Sequence, residues 1–248
     1  MIHLTNKNNS CYIDSLFTIL HNITDVRRLL RNAKTDTARD IRKAIMRMNV
    51  PQFRKVCNDT DDRMSDEDWL TDQKEPLDIL LFIKNHMNFP TDVRYRETHY
   101  LKEGTCLKFL KEKLKRSDFF SYKFFTPSPS NRRLTLDTTD TLDNGKVIKH
   151  TFVSSPLLMI HINRNQGSSM KDTTEIRVPK TSKCMELAGV IVHIGRNINS
   201  GHYIAYFKKK NKWYEYDDLK SHTTPIVGNL KASVFRNCTD VFYVSKNK

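Results

Sequence analysis

Four residues spread along the chain carry groups that could together cleave an acyl bond: Asn6, Cys11, His202 and Asp217. Cys11 follows Asn8-Asn9-Ser10, a turn and cap cluster suited to starting a helix. A thiol in the first turn of a helix feels the positive end of the dipole, which lowers its pKa and favours the thiolate. Asn6 precedes it across that turn. Its side-chain amide could join the Cys11 main-chain N–H in donating to an oxyanion on an attacked carbonyl. His202 stands directly after Gly201, at the end of the loop Gly195-Arg196-Asn197-Ile198-Asn199-Ser200. There it could act as general base to the thiol and general acid to a leaving amine, while Gly201 leaves room for a passing backbone or substrate. Asp217 closes Trp213-Tyr214-Glu215-Tyr216 after a Lys-rich turn. A hairpin would return it to His202, where a carboxylate holds the imidazole tautomer and stabilises imidazolium. Each residue has an ordinary reading too: a core cysteine, an Asx-turn amide, a structural histidine, a solvated turn acid. The full set in suitable settings points to a thiol triad.

The elements that must hold these groups follow from periodicity. Tyr12, Leu16, Ile19 and Ile23 recur at helical spacing with Ile13, Phe17 and Leu20 beside them, so Cys11 to about His21 is expected to be a mostly buried helix. Val26 to Met48 reads as a basic helix, and Asn58 to Asp72 as a loop with a short helix around Trp69. Leu77 to Met87 reads as an apolar helix ended by Pro90. Leu107 to Leu114 reads as a short amphipathic helix, and Thr126 to Asn131 as a loop. Strands follow at 157–162, 175–178, 187–193, 203–207, 213–216 and 241–244. Helices first and strands after argue for an α+β fold with an antiparallel sheet.

The 248 residues suffice for a sizeable core, with 38% hydrophobic residues. Five cysteines at 11, 57, 106, 184 and 238 include no C-x-x-C pair, which argues against a disulfide framework or a zinc ribbon and fits a reducing compartment. The first residues lack the apolar core of a signal peptide, and no apolar run reaches the roughly 18 residues needed to span a membrane. An intracellular protein, cytoplasmic or nuclear, is expected, with no membrane partner. The net charge of +14 favours acidic protein surfaces or nucleic acid. The best basic patch is Lys108, Lys111, Lys113, Lys115 and Arg116 with Phe119, Phe120 and Tyr122, whose ordinary reading is a solvated helix followed by core aromatics.

Two segments carry a family resemblance. Leu4 to Tyr12 resembles the Cys box of the ubiquitin-specific proteases, written L-x-N-x-G-N-T-C-Y, and 187–195 with 201–206 resembles their His box, continued by 213–218. Weaker matches lie in the family's order: Gln73-Lys74-Glu75-Pro76-Leu77-Asp78-Ile79, Pro156 to Arg164, and the closing Asp240 to Val244. The resemblance thus spans Leu4 to Val244. Departures are Asn8 for the usual Gly, Asp14 where many members have Asn, Asn165 for Phe, and no zinc-binding C-x-x-C pairs.

The resemblance implies a papain-like α+β fold in a single catalytic domain over residues 1–248. A helical thumb would cover about 1–90, with an antiparallel β palm and short metal-free fingers over about 91–248 and the site in the cleft between thumb and palm. It implies Cys11 as nucleophile, His202 as base, Asp217 as its partner and Asn6 as oxyanion residue. Glu75 and Asp78 would grip an arginine of ubiquitin's Leu-Arg-Leu-Arg-Gly-Gly tail, and Gly201 and Tyr203 of the His box would also meet substrate. The implied activity is a deubiquitinating thiol protease, without cofactor or metal, cleaving after ubiquitin's terminal Gly; its partners would be ubiquitin and ubiquitinated proteins. Alternatives are a protease for another ubiquitin-like modifier and a catalytically weak ubiquitin-binding scaffold.

Overall fold

The computed structural model describes residues 10–23, 30, 33–60, 75–87, 93–103, 105–117, 137–142, 144–155, 157–162, 175–177, 184–197 and 200–245. The chain divides into two compact units, one formed by Met1–Pro90 with Ala188–Asp240, the other by Thr91–Leu187 with Val241–Lys248.

In the first unit, α1 (Cys11–Asn22) is the expected buried helix, with every residue from Cys11 to Leu20 buried. It packs against β8 (Ser200–Lys209). Helix α2 (Asp36–Arg47) starts later than the expected 26–48 helix. The Thr35 side chain accepts from the Ala38 N–H at 3.1 Å and caps it there; residues 33–35 are non-helical, and Val26 lies outside the described residues. Helix α3 (Val50–Thr60) was not expected. Its Pro51 reads as a breaker, yet near a helix start proline costs no hydrogen bond. Helix α4 (Pro76–His86) closes the set, as expected. Phe17 meets Phe53 edge-on at 4.9 Å, and Phe53 meets Phe82 at 5.8 Å, so one aromatic row ties α1, α3 and α4.

These helices share their unit with β7 (Cys184–Asn197, from Ala188 on), β8, β9 (Lys212–Tyr216), β10 (Thr224–Ile226), α5 (Ala232–Asn237) and the start of β11 (Cys238–Ser245). Strands run in the order β10-β9-β8-β7-β11, and β7-β8, β8-β9 and β9-β10 are antiparallel. The β8–β9 hairpin turns on Lys210 and Asn211, both with positive φ (48° and 61°), the backbone of a two-residue turn matched to sheet twist. Gly189 lets α1 approach β7: a Cβ there would lie 2.7 Å from Ile19 Cδ1.

In the second unit, β1 (Val93–Glu103), β2 (Cys106–Ser117), β3 (Asp137–Thr141) and β4 (Lys146–Ser154) form a sheet of order β2-β1-β4-β3. This sheet lies within the stretch, about 91–248, that is expected to hold the β palm and the short fingers. The expected helix at 107–114 is corrected: those residues belong to β2, paired antiparallel with β1 from Val93↔Ser117 to Glu103↔Cys106. Leu107, Phe109, Leu110 and Leu114 are exposed there, so no burial enforces the helical face that their spacing suggests. β5 (Leu157–His161) and β6 (Glu175–Arg177) match the expected strands. β6 pairs with the first residues of β7, and Ser245 at the end of β11 donates to the Ser155 carbonyl at 3.4 Å. The expected helix around Trp69 and the loop at 126–131 lie outside the described residues. Among the described residues no helix is long and apolar enough to cross a membrane.

Candidate active site

Cys11, His202 and Asp217, which start from opposite ends of the sequence, all belong to the first unit. The sheet explains the second and third. Ala205 pairs with Tyr216, so the register carried one step further sets Asp217 opposite Ile204, on the face that His202 shares by alternation. The result is a hydrogen bond of 2.7 Å between His202 Nε2 and Asp217 Oδ1. Asp217 Oδ1 also accepts from the Leu219 main-chain N–H at 3.1 Å, which fixes the carboxylate on its turn. With the carboxylate on Nε2, neutral His202 carries its proton there and keeps a lone pair on Nδ1.

Helix α1 supplies the thiol. Cys11 is 2% exposed, and its sulfur accepts from the main chain of Tyr203, the residue after His202, and from that of Tyr12. The helix-start argument expects a lowered pKa. The structure corrects it: the thiol is pushed up to about 11, first by burial and then by the nearby charges of Asp218 and Asp14. Desolvation outweighs the dipole and the two main-chain donors, so at neutral pH Cys11 is a thiol, which needs a base to lose its proton.

Two further acids surround these groups, and neither is among the catalytic candidates that the motifs single out. Asp218 Oδ1 lies 3.5 Å from His202 Nε2. Asp14, one helical turn beyond Cys11, accepts from Ser10 Oγ at 2.6 Å. A helix period of 3.6 residues placed Asp14 on the thiol's face, which was the available signal. The donor atoms of His202, Asp217 and Asp218 lie within 4.8 Å of one another. A cation among them would have to break the 2.7 Å His202–Asp217 hydrogen bond, so the arrangement is that of an oriented base.

Glu75 and Asp78 stand at the start of α4, where the Glu75 main-chain N–H donates to Asp78 Oδ2 at 3.0 Å. Their charges reach Tyr203, whose hydroxyl is pushed up by burial first and by Glu75 next. Tyr203 is itself buried, with its ring 4.6 Å from that of His193. Gly201 has φ +154°, and a Cβ there would lie 2.3 Å from His193 Nε2 and 2.7 Å from the Ile194 carbonyl. Glycine is required at this point by the hairpin itself. Asn6 lies outside the described residues.

The family model described as ubiquitin carboxyl-terminal hydrolase matches residues 2–227. Ubiquitin carboxyl-terminal hydrolase 7 of Arabidopsis thaliana is 39% identical over 60 residues, 24% of this chain and 13% of that protein. Ubiquitin carboxyl-terminal hydrolase A of Dictyostelium discoideum is 46% identical over 33 residues, 13% of this chain and 4% of that protein. The aligned segments thus span a small part of either relative. Among solved structures, the SAGA Ubp8/Sgf11/Sus1/Sgf73 DUB module bound to ubiquitin aldehyde matches all of this chain and 70% of its own, with TM-score 0.73 at 12% identity. The Ubp8-Sgf11-Sgf73-Sus1 SAGA DUB module matches with TM-score 0.73 at 13% identity, over 68% of its chain. The α+β fold expected from the sequence is therefore the fold of these proteins.

Proposed function

The chain belongs to the ubiquitin carboxyl-terminal hydrolase family, and from that premise we propose that it is a thiol-dependent ubiquitinyl hydrolase cutting the isopeptide or peptide bond after ubiquitin's terminal Gly. The observation that carries this reading is the His202–Asp217 hydrogen bond of 2.7 Å, formed next to a buried thiol that accepts from the main chain of Tyr203.

In this reading Cys11 is the nucleophile, His202 the base and acid, and Asp217 the carboxylate that orients His202. The Cys11 proton passes to His202 Nδ1, and the sulfur attacks the Gly carbonyl carbon. The carbonyl oxygen becomes an oxyanion, met by the Cys11 N–H and the Asn6 amide. Collapse breaks the C–N bond, and the lysine amine leaves with the proton from His202. Water, deprotonated by His202, then attacks the thioester; ubiquitin leaves with a free carboxylate and Cys11 regains its proton. Glu75 and Asp78, with Gly201 and Tyr203, form the approach for the tail. Ubiquitin and ubiquitinated proteins are the partners, and a reducing intracellular compartment keeps the thiol free.

The test is turnover of a fluorogenic amide of the ubiquitin C-terminus by wild type, Cys11→Ala and His202→Ala. The reading expects release by wild type and none above background by either variant. Turnover confined to the corresponding amide of another ubiquitin-like modifier would contradict the choice of substrate. Retained turnover in Cys11→Ala would contradict the mechanism.

A further inference from the structure

Beside His202 and Asp217 the first unit buries a second pair of acids. Asp14 is 1% exposed and Asp218 3%. Ser10 Oγ donates to Asp14 Oδ2 at 2.6 Å. Asp218 is less well served. His202 Nε2 is 3.5 Å from its Oδ1, and that N–H points to Asp217 at 2.7 Å. Beyond its own main-chain N–H, neither Asp218 oxygen meets another N–H or O–H donor of good geometry among the described residues. The Asp14 carboxyl lies in hydrogen-bonding reach of it. Two ionised carboxylates repel across such a contact, whereas one proton between them makes it a hydrogen bond.

We propose that Asp14 is a positioning residue which holds a proton at neutral pH and donates it to ionised Asp218, so that one negative charge, not two, faces Cys11 and His202. This rests on the triad reading above. Burial pushes both carboxyls up, so the pair resists carrying two charges; for Asp218 the Asp14 hydrogen bond offsets part of that push, and His202 favours its ionisation once it takes up a proton. The groups that face the pair come from several elements. Ser10 caps α1, Cys11 lies on it, and Arg54 reaches Asp14 from α3. His202 of β8 and Asp217 face Asp218. Glu75 and Asp78 of α4 act on Tyr203 next to Cys11. Both Asp14 and Asp218 raise the pKa of Cys11 when charged. Loss of the Asp14 proton therefore opposes thiolate formation, just where rising pH would favour it. Asparagine at this position would keep an N–H donor for Asp218 and remove the titration.

The experiment compares wild type, Asp14→Asn and Asp14→Ala in the full chain. At pH 7 the infrared spectrum of wild type should show the carbonyl band of a buried carboxylic acid, absent in Asp14→Asn. Above pH 8 Cys11 should react with iodoacetamide several-fold faster in Asp14→Asn than in wild type, because its thiolate faces one charge fewer. With the ubiquitin amide at pH 7, Asp14→Ala should lose about 10–100-fold in kcat/KM, as expected for a buried charge deprived of its donor, and Asp14→Asn should recover most of it. Superimposable pH profiles of alkylation in wild type and Asp14→Asn, or a wild-type spectrum without the acid band, would overturn the proposal. If both signatures appear while no ubiquitin amide is cleaved, the acid pair stands and the ubiquitin hydrolase reading falls.

Discussion

His202 has two ring nitrogens, and Asp217 decides which one is free. The 2.7 Å contact fixes the proton at Nε2 and leaves Nδ1 basic. Asp217→Asn would keep the shape, but its amide N–H would favour the opposite tautomer; kcat for the ubiquitin amide should drop by about 10²–10⁴-fold with little change in KM. An effect confined to KM would assign Asp217 to substrate binding. Asp14 makes a separate prediction about stability. Its carboxyl is pushed from 3.8 up to about 8, chiefly by burial. Between those values the folded state binds a proton that the unfolded state has lost, so stability falls as pH rises. The contribution is complete below about pH 4 and gone above about pH 8. Wild type should therefore lose more Tm than Asp14→Asn between pH 5 and 8.5 in calorimetric scans. Parallel losses would place the titration elsewhere. At this scale the sequence was legible where a residue type stands in a motif, as with Cys11 and His202. It misled for the thiol pKa, because burial by α1 and β8 is a tertiary quantity that the helix-start argument omits.

Among the elements, α1 and the β8–β9 hairpin do most of the positioning. α1 was legible because its apolar residues recur at helical spacing, and the hairpin because Lys210-Asn211 interrupts two apolar strands. Strands β1 and β2 were not legible. Val93 to Glu103 mixes charges with aromatics, and β2 alternates Lys with exposed Leu and Phe, so neither presents a one-sided apolar pattern. Their pairing is made by main-chain hydrogen bonds between segments whose side chains barely signal it. Helix α3 was hidden by Pro51, although its Phe53 sits at the centre of the aromatic row. Phe53→Ala should cost about 3–5 kcal/mol in chemical denaturation. Gly189→Ala should also destabilise, by about 1–3 kcal/mol, since its Cβ would press on Ile19. A neutral effect at Gly189 would mean that Ile19 can move aside freely.

For the whole molecule, the net charge of +14 is the largest sequence-level property that the proposed chemistry leaves unused. Part of it lies on β2, where Lys108, Lys111, Lys113 and Lys115 alternate with exposed Leu107, Phe109 and Leu114. β2 ends the order of its sheet, and lysines along an edge strand oppose edge-to-edge pairing. Raising the salt concentration should therefore increase self-association measured by light scattering, and Phe109→Glu should reduce it. The claim that joins all three scales is that Cys11, brought beside His202 and Asp217 by α1 and the hairpin, is the atom that takes ubiquitin. Ubiquitin bearing a thiol-reactive group at its C-terminus tests this most directly, with the adduct mapped by peptide mass spectrometry. The account predicts one ubiquitin per chain, attached at Cys11 and lost in Cys11→Ala. Ubiquitin retained without any covalent adduct, or an adduct at Cys57, Cys106, Cys184 or Cys238, would contradict it.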